Sequence, residues 1–306
     1  MVEPLVEKAL MSTEADKPMI EVVIVNYNAG NALTRCVSSV LAQKDQVRVT
    51  VWDNASSDDS LACLEGALGG TSQLKIVPGR ENLGFAKAVN RAASQLEGSF
   101  DYLLILNPDC EMQPGALTEL TQALEKHSQA ALAGPAMVDR HNQPMKATLR
   151  RFPDPWSSFL TFSGLWRLGR WNPAFEGVDL TGRMPAETIK AEAVSGACML
   201  IRMGVFSDLA GLDELYGLHC EDLDLMYRIG QLGSYCLLVP AARVFHDQGL
   251  SSKSRPSWVH WQKHLGMQRF FLKFKANDHA FPVRCLVIAG IWLHFALTLP
   301  LTWFRS

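Results

Sequence analysis

The chain has 306 residues, 48% of them hydrophobic, and a formal net charge of −2. That length suffices for one large domain or two small ones with an ample core. The near-neutral charge argues against the basic surface that a nucleic-acid partner requires, and seven cysteines without a CxxC pair read as free thiols in a reducing compartment.

Residues 1–18 read as a flexible leader without the basic start and long apolar run of a signal peptide, which places the bulk of the chain in the cytosol. From residue 19, "MIEVVIVNYN" predicts a buried strand ending at Asn26-Tyr27-Asn28. "NALTRCVSSVLAQ" has helical spacing, with Leu33, Val37, Val40 and Leu41 on one face and Gly30 or Asn31 as its cap. "VRVTVWDNASSDDS" predicts a second strand ending at Asp53-Asn54, followed by Ser56, Ser57 and Asp58 as caps for the helix "SLACLEGAL". "LKIVPGRENLG" predicts a short strand and turn, and "FAKAVNRAASQL" a third helix. In "DYLLILNPDC" a fully apolar strand runs into Pro108, and "GALTELTQALEKH" supplies a fourth helix.

Residues 137–192, rich in aromatics, Pro, Gly and Arg, predict an irregular, substrate-shaped lobe. Order resumes with "AVSGACMLIRMGVFSDLAGLDE". "CEDLDLMYRIGQLG" predicts a helix on which Asp224 and Arg228 form a surface pair, and "SYCLLVPAARVFHDQG" a strand pair or a strand and turn. Residues 285–304 hold no charge and are long enough to cross a bilayer or lie in its surface. Trp292 and Trp303 suit an interface, and Lys263, Arg269, Lys273, Lys275 and Arg284 a flank facing anionic lipid. A buried or partner-facing terminal helix is the alternative.

Strand–helix alternation predicts an α/β fold: a Rossmann-like, mostly parallel sheet flanked by helices, with a C-terminal apolar helical extension. Ligands in such sheets bind at the carboxyl ends of the strands. Those ends carry Asn26/Asn28, Asp53/Asn54, Arg80/Asn82 and Asn107/Asp109, so four polar groups converge on one rim. Neither GxGxxG nor GxxxxGK[ST] follows the first strand, which disfavours a dinucleotide oxidoreductase and a P-loop NTPase.

"VVIVNYN", "VWDNASSDDS", "ENLGFAKAVNRA", "LILNPDC", "SGACMLIR" and "CEDLDLMYRIGQLG" stand in the order found in family 2 glycosyltransferases of the GT-A fold. The chain resembles that family over residues 20–250, and its rhamnosyltransferase-like members most. The resemblance implies a GT-A domain over residues 19–252, with a nucleotide-binding half (19–136) and an acceptor-binding half (137–252), followed by a membrane-associating extension (253–306). It implies inverting, metal-dependent transfer from a nucleotide-sugar donor, with dTDP-L-rhamnose as the first expectation, to a glycan or lipid-linked glycan acceptor. The setting would be cell-surface polysaccharide synthesis at the cytoplasmic face of the inner membrane.

Residue by residue, Asp109 resembles the last carboxylate of the family's DxD-type motif and would hold Mg²⁺ or Mn²⁺, with Asn107 where many relatives keep a second acid. Asp53 resembles the aspartate that binds the pyrimidine base, beside Asn26, Tyr27, Asn28 and Asn54. Asn82 and Gly84 stand in the turn that faces the nucleotide, and Arg80 would reach a phosphate or form a surface ion pair. Glu221-Asp222 resembles the pair that supplies the general base, with Asp222 in that role. His246 resembles a histidine that reaches the metal or the diphosphate, and Lys253 and Arg255 would close over the phosphates. Cys110 and Cys220 are expected to be small buried residues, because thiolate suits Mg²⁺ and Mn²⁺ poorly. A UDP-hexose or UDP-N-acetylhexosamine donor, a nucleotidyltransferase, or a non-catalytic nucleotide-sugar-binding subunit are the alternatives.

Overall fold

A computed structural model of the chain describes residues 17–247 and 256–302. Its first half alternates as expected: β1 (Met19–Asn26), α1 (Asn31–Leu41), β2 (Gln46–Asp53), α2 (Ser60–Leu68), β3 (Leu74–Pro78), α3 (Phe85–Ser94) and β4 (Tyr102–Leu106). β5 (Cys110–Met112), α4 (Ala116–Lys126), β6 (Ala130–Val138) and β7 (Leu149–Arg150) follow, then α5 (Pro155–Ser163). The rest is β8 (Ile189–Ala191), β9 (Ala193–Val194), β10 (Cys198–Arg202), α6 (Met203–Asp208), α7 (Glu221–Gln231), β11 (Tyr235–His246), α8 (Pro256–Phe270) and α9 (Phe281–Thr302).

Among the described residues, one nine-stranded sheet runs β3-β2-β1-β4-β10-β6-β11-β5, with β8 on β11. The expected parallel pairing holds from β3 to β4. Beyond β4 the sheet is mixed, because β10 is antiparallel to both of its neighbours while β6 and β11 are parallel.

Period-2 alternation divides each central strand between two cores. Leu104 and Leu106 of β4 pack with α1, α2 and α4, whereas Leu103 and Ile105 pack with α3, α6 and α7. Burial of β4 on both faces explains its unbroken apolar run.

β6 lies inside the sheet although its sequence, "AALAGPAMV", is poor in strand formers and contains Pro135. Proline brings no N–H to a ladder, and β11 breaks register opposite it, between Val239 and Arg243. The expected strand pair or strand and turn is thus one long irregular strand, Tyr235–His246. Gly134 is needed here because a β-carbon would lie 2.5 Å from Val194 Cγ2 of β9.

The C-terminal helices are fastened to α7 and the turn before it. A β-carbon at Gly266 of α8 would lie 2.7 Å from the His219 carbonyl, and Phe270 lies in the core beneath α7. Asp224 of α7 is fully buried and accepts from Arg228 and Lys273, each at 2.6 Å, so the expected surface pair is a buried cluster. Lys273 also reaches Asp213 (2.7 Å), which Arg269 pairs as well (2.8 Å). Together these cations hold the Asp213 carboxyl at about 2, against the opposing effect of burial. α9 is long and apolar enough to cross a membrane by length and composition, with mean hydropathy 1.7 over Phe281–Pro300. Trp303 lies outside the described residues, as do Lys253, Arg255 and the leader up to residue 16.

Removing one partner of a buried ion pair leaves an uncompensated charge and costs about 3–5 kcal/mol. Asp224→Ala is therefore expected to lower unfolding free energy, measured by urea denaturation, by that amount. Lys273→Met, at a side chain one-third exposed, is expected to cost less, and equal losses would contradict the account.

Candidate active site

The rim is built from the strand ends. Asn26 and Asp53 face each other as the last pair of the β1–β2 ladder. Asn26 Nδ2 lies within 3.0 Å of Asp53 Oδ1, Ser56 Oγ and Ser60 Oγ, so Asn26 is a buried brace between the two strand ends. Asp53 also accepts from the Ser56 N–H (3.0 Å) and hydroxyl (2.6 Å), an Asx-type turn that uses part of its acceptor capacity. Asn28 adopts φ 53° and accepts from the Ser57 N–H. Tyr27 beside it is half-buried.

Asn54 donates to the Gly84 carbonyl (3.2 Å), and the Gly84 N–H donates to Asn82 Oδ1 (2.9 Å), which joins the third strand end to the second. Arg80 is exposed, with no ion pair among the described residues. Of the expected caps of α2, Asp58 accepts from the N–H (3.2 Å) and hydroxyl (2.5 Å) of Ser60 at the helix start, while Ser56 and Ser57 do not cap it. The cap position is Asp59, and Ser56 is drawn to Asp53 instead.

At the end of β4, Pro108 stops the ladder and β5 begins two residues later. β5 pairs antiparallel with β11 so that His246 lies opposite Cys110. That register sets His246 Nε2 3.2 Å from Asp109 Oδ1, and the Asp247 N–H donates to the Asp109 carbonyl. Cys110 Sγ lies within 4.8 Å of both ligand atoms. Its thiol is fully buried, directed at the Ala197 carbonyl, and raised well above its usual pKa by burial and then by the Asp109 charge. Cys110 is therefore a packing residue. A carboxylate oxygen and an imidazole nitrogen converging at hydrogen-bond distance suit a divalent cation of borderline hardness, with room for oxygen ligands from elsewhere.

The second acidic centre sits at the start of α7. His219 and Cys220 precede it with φ of 69° and 71°, a left-handed turn of two non-glycine residues that stores strain where the helix begins. Asp222 accepts from Arg150 Nη2 (2.5 Å), and the same Nη2 donates to the Val194 carbonyl. Burial opposes ionisation of Asp222, but the Arg150 charge and hydrogen bond prevail and hold its carboxyl below the usual range. Glu221 next to it is buried, and its Oε2 has no partner among the described residues. Burial, then the Asp222 charge, push the Glu221 carboxyl up to about 8. At neutral pH one acid is charged and the other neutral.

The two centres share the segment 195–198. The Asn107 N–H donates to the Ala197 carbonyl (2.9 Å), and a β-carbon at Gly196 would lie 2.6 Å from Asp222 Oδ2. Only glycine lets that segment pass between the strand end and Asp222. Neither Arg150 nor Gly196 carries a functional signal of its own in the sequence. Gly196 stands within "SGACMLIR", whereas Arg150, in "RRFPDP", has only its charge to mark it.

The profile of glycosyl transferase family 2 matches residues 21–209. The chain belongs to glycosyl transferase family 2. This glycosyltransferase is 28% identical over 251 residues to an N-acetylglucosaminyl-diphospho-decaprenol L-rhamnosyltransferase of Mycobacterium tuberculosis (strain ATCC 25618 / H37Rv), covering 78% of this chain and 79% of the relative. It is 25% identical over 237 residues to the rhamnosyltransferase WbbL of Escherichia coli (strain K12), covering 74% and 83%. The glycosyltransferase has the GT-A fold. It superposes on GalNAc-T7, solved with UDP, GalNAc and Mn²⁺, at TM-score 0.60 and 17% identity, over 84% of this chain and 48% of that one. The mannosyltransferase PcManGT of Pyrobaculum calidifontis, solved with GDP-Man and Mn²⁺, gives 0.57 and 14%, over 95% and 74%. Membership in this family decides for glycosyl transfer over nucleotidyl transfer.

Glu221 binds its proton up to about pH 8 in the fold but loses it near 4.5 when unfolded. Between those values the unfolded chain holds fewer protons, so stability falls as pH rises. Glu221→Gln removes that dependence. The variant is expected to gain melting temperature over the parent progressively from pH 5 to pH 8, by thermal denaturation, and a pH-independent difference would contradict the raised pKa.

Proposed function

We propose that the enzyme is an inverting rhamnosyltransferase. It transfers L-rhamnose from dTDP-L-rhamnose to a lipid-linked glycan acceptor, at the cytoplasmic face of the membrane where cell-surface polysaccharide is built. Both rhamnosyltransferase relatives support the sugar, and the mycobacterial one supports a lipid-linked acceptor. The observation that carries the catalytic reading is the ionised Asp222, held by Arg150 and set against the end of β4 through Gly196.

In this reading the base of the donor lies against Asp53 and Tyr27. Asp53 Oδ2, which accepts one bond within the fold, has capacity for a pyrimidine N–H. Asn82, Gly84 and Arg80 border the diphosphate, and Asn107 faces the sugar side. Asp109 and His246 would hold the divalent cation, which when bound neutralises the charge that develops on the nucleoside-diphosphate leaving group. Asp222 removes the proton from the acceptor hydroxyl as that oxygen attacks the anomeric carbon, and the bond to the diphosphate oxygen breaks on the opposite face. Arg150 orients Asp222 and keeps it charged before the acceptor arrives. Glu221, neutral beside it, keeps a second negative charge from raising the Asp222 pKa.

The test is Asp222→Asn, assayed with dTDP-L-rhamnose and a polyprenyl-diphosphate-linked sugar. Loss of a general base is worth about 10²–10⁴-fold. kcat is expected to fall by that factor while donor affinity stays within about twofold of the parent. Undiminished turnover would remove Asp222 from the base role. Thermal stabilisation by UDP-N-acetylglucosamine but not by dTDP-L-rhamnose would overturn the donor.

A further inference from the structure

The segment 155–175, which leaves the sheet directly after Arg150, has no role in the chemistry above. It is nonetheless held firmly: Asp154 caps α5 in a reciprocal capping box with Ser157, and Trp156 Nε1 donates to the Ala174 carbonyl (3.0 Å). On this rigid base Phe159, Trp166 and Trp171 stand 52%, 41% and 75% exposed. Two of the three rings carry a guanidinium: Arg167 lies 5.1 Å from the Trp166 centroid and Arg170 4.8 Å from that of Trp171. No carboxylate occurs between residues 155 and 175.

The lobe is continuous with α9. Phe162 of α5 stacks on His294 of α9, with ring centroids 4.1 Å apart. One side of α9 is committed to α8 through His294 to His264 (2.9 Å) and Trp292 to Gln268 (2.6 Å). Leu286, Leu293 and Leu297, spaced seven and four residues apart, share one face of the helix and are each more than 60% exposed. Across residues 256–302 Arg269 and Lys273 are paired by Asp213 and Asp224, which leaves Lys263, Lys275 and Arg284 against one carboxylate, Asp278, in a chain whose overall charge is −2. Tryptophan with arginine above an apolar face is the composition that settles in lipid headgroups. These three cations and the lobe's Arg167 and Arg170 favour an anionic surface.

We propose that the aromatic lobe at 155–175 and the leucine face of α9 form one docking surface for an anionic lipid bilayer. α9 lies in the plane of the membrane and the lobe is the second point of attachment. This extends the membrane placement proposed above from α9 to a segment that adjoins the Asp222–Arg150 pair, so docking and catalysis share one rigid element. Two attachments resist rotation about α9 and fix which side of the domain faces the lipid.

Brominated phosphatidylcholine–phosphatidylglycerol vesicles test this with two forms of the full chain. One keeps only Trp52 and the lobe tryptophans (W258F/W261F/W292F/W303F), and the other lacks the lobe tryptophans (W156F/W166F/W171F). Quenching in both is the expected result. Quenching only in the second form overturns the lobe's part and leaves α9 at the membrane. No quenching and no flotation in either form overturns the membrane placement as a whole. Self-association of the chain without vesicles, with the lobe tryptophans unquenched, would assign the surface to a second copy instead. The exposed pair R167Q/R170Q, chosen to leave the fold untouched, is expected to lower partition onto phosphatidylglycerol vesicles about 30-fold. Unchanged partition would overturn the charge argument.

Discussion

A carboxylate withdrawn from water stays charged only where a counter-charge or hydrogen bonds replace its hydration, and this constraint organises the whole site. Asp53 is met by Asn26 and Ser56, Asp224 by Arg228 and Lys273, Asp222 by Arg150, and Asp109 by His246. Glu221, in no ion pair and with Oε2 unpartnered among the described residues, is accordingly the neutral member. Each solution brings a second element to the rim. Arg150 draws in β7 and the aromatic lobe, Lys273 draws in the C-terminal helices, and His246 draws in β11. The part of the chain beyond β4 is thus assembled around acids that would otherwise stand uncompensated.

Register then decides where those partners fall. Because proline supplies no ladder donor, β11 breaks step opposite Pro135 and resumes at Arg243. Three residues later it delivers His246 opposite Cys110, beside Asp109. A one-residue slip would turn His246 to the other face of the sheet. The irregular strand is therefore part of how the site is made, as are the strained His219–Cys220 turn and the side-chain-free passage at Gly196.

The parts visible in the sequence are those governed by local rules. Apolar runs marked β1 to β4, the residues after each run marked the rim, and helical spacing marked α1 to α4 and α7. What local rules do not encode was hidden. β6 is built from Ala, Gly and Pro and is a strand only because β10 and β11 flank it. Asp224 and Arg228 have the spacing of a surface pair, and only the arrival of α8 and Lys273 buries them. Arg150 meets Asp222 from 72 positions away, through a two-residue strand that no periodicity could announce.

The claim on which this account turns is that the end of β4 and the end of β11 together make a cation site that serves the donor's diphosphate. Mn²⁺ binding in the presence of dTDP, followed by electron paramagnetic resonance of the free ion, tests it directly. The parent protein is expected to remove Mn²⁺ from solution. Asp109→Asn is expected to abolish that uptake, and His246→Ala, which removes the second ligand, to weaken it. Mn²⁺ uptake by Asp109→Asn equal to that of the parent would contradict the account.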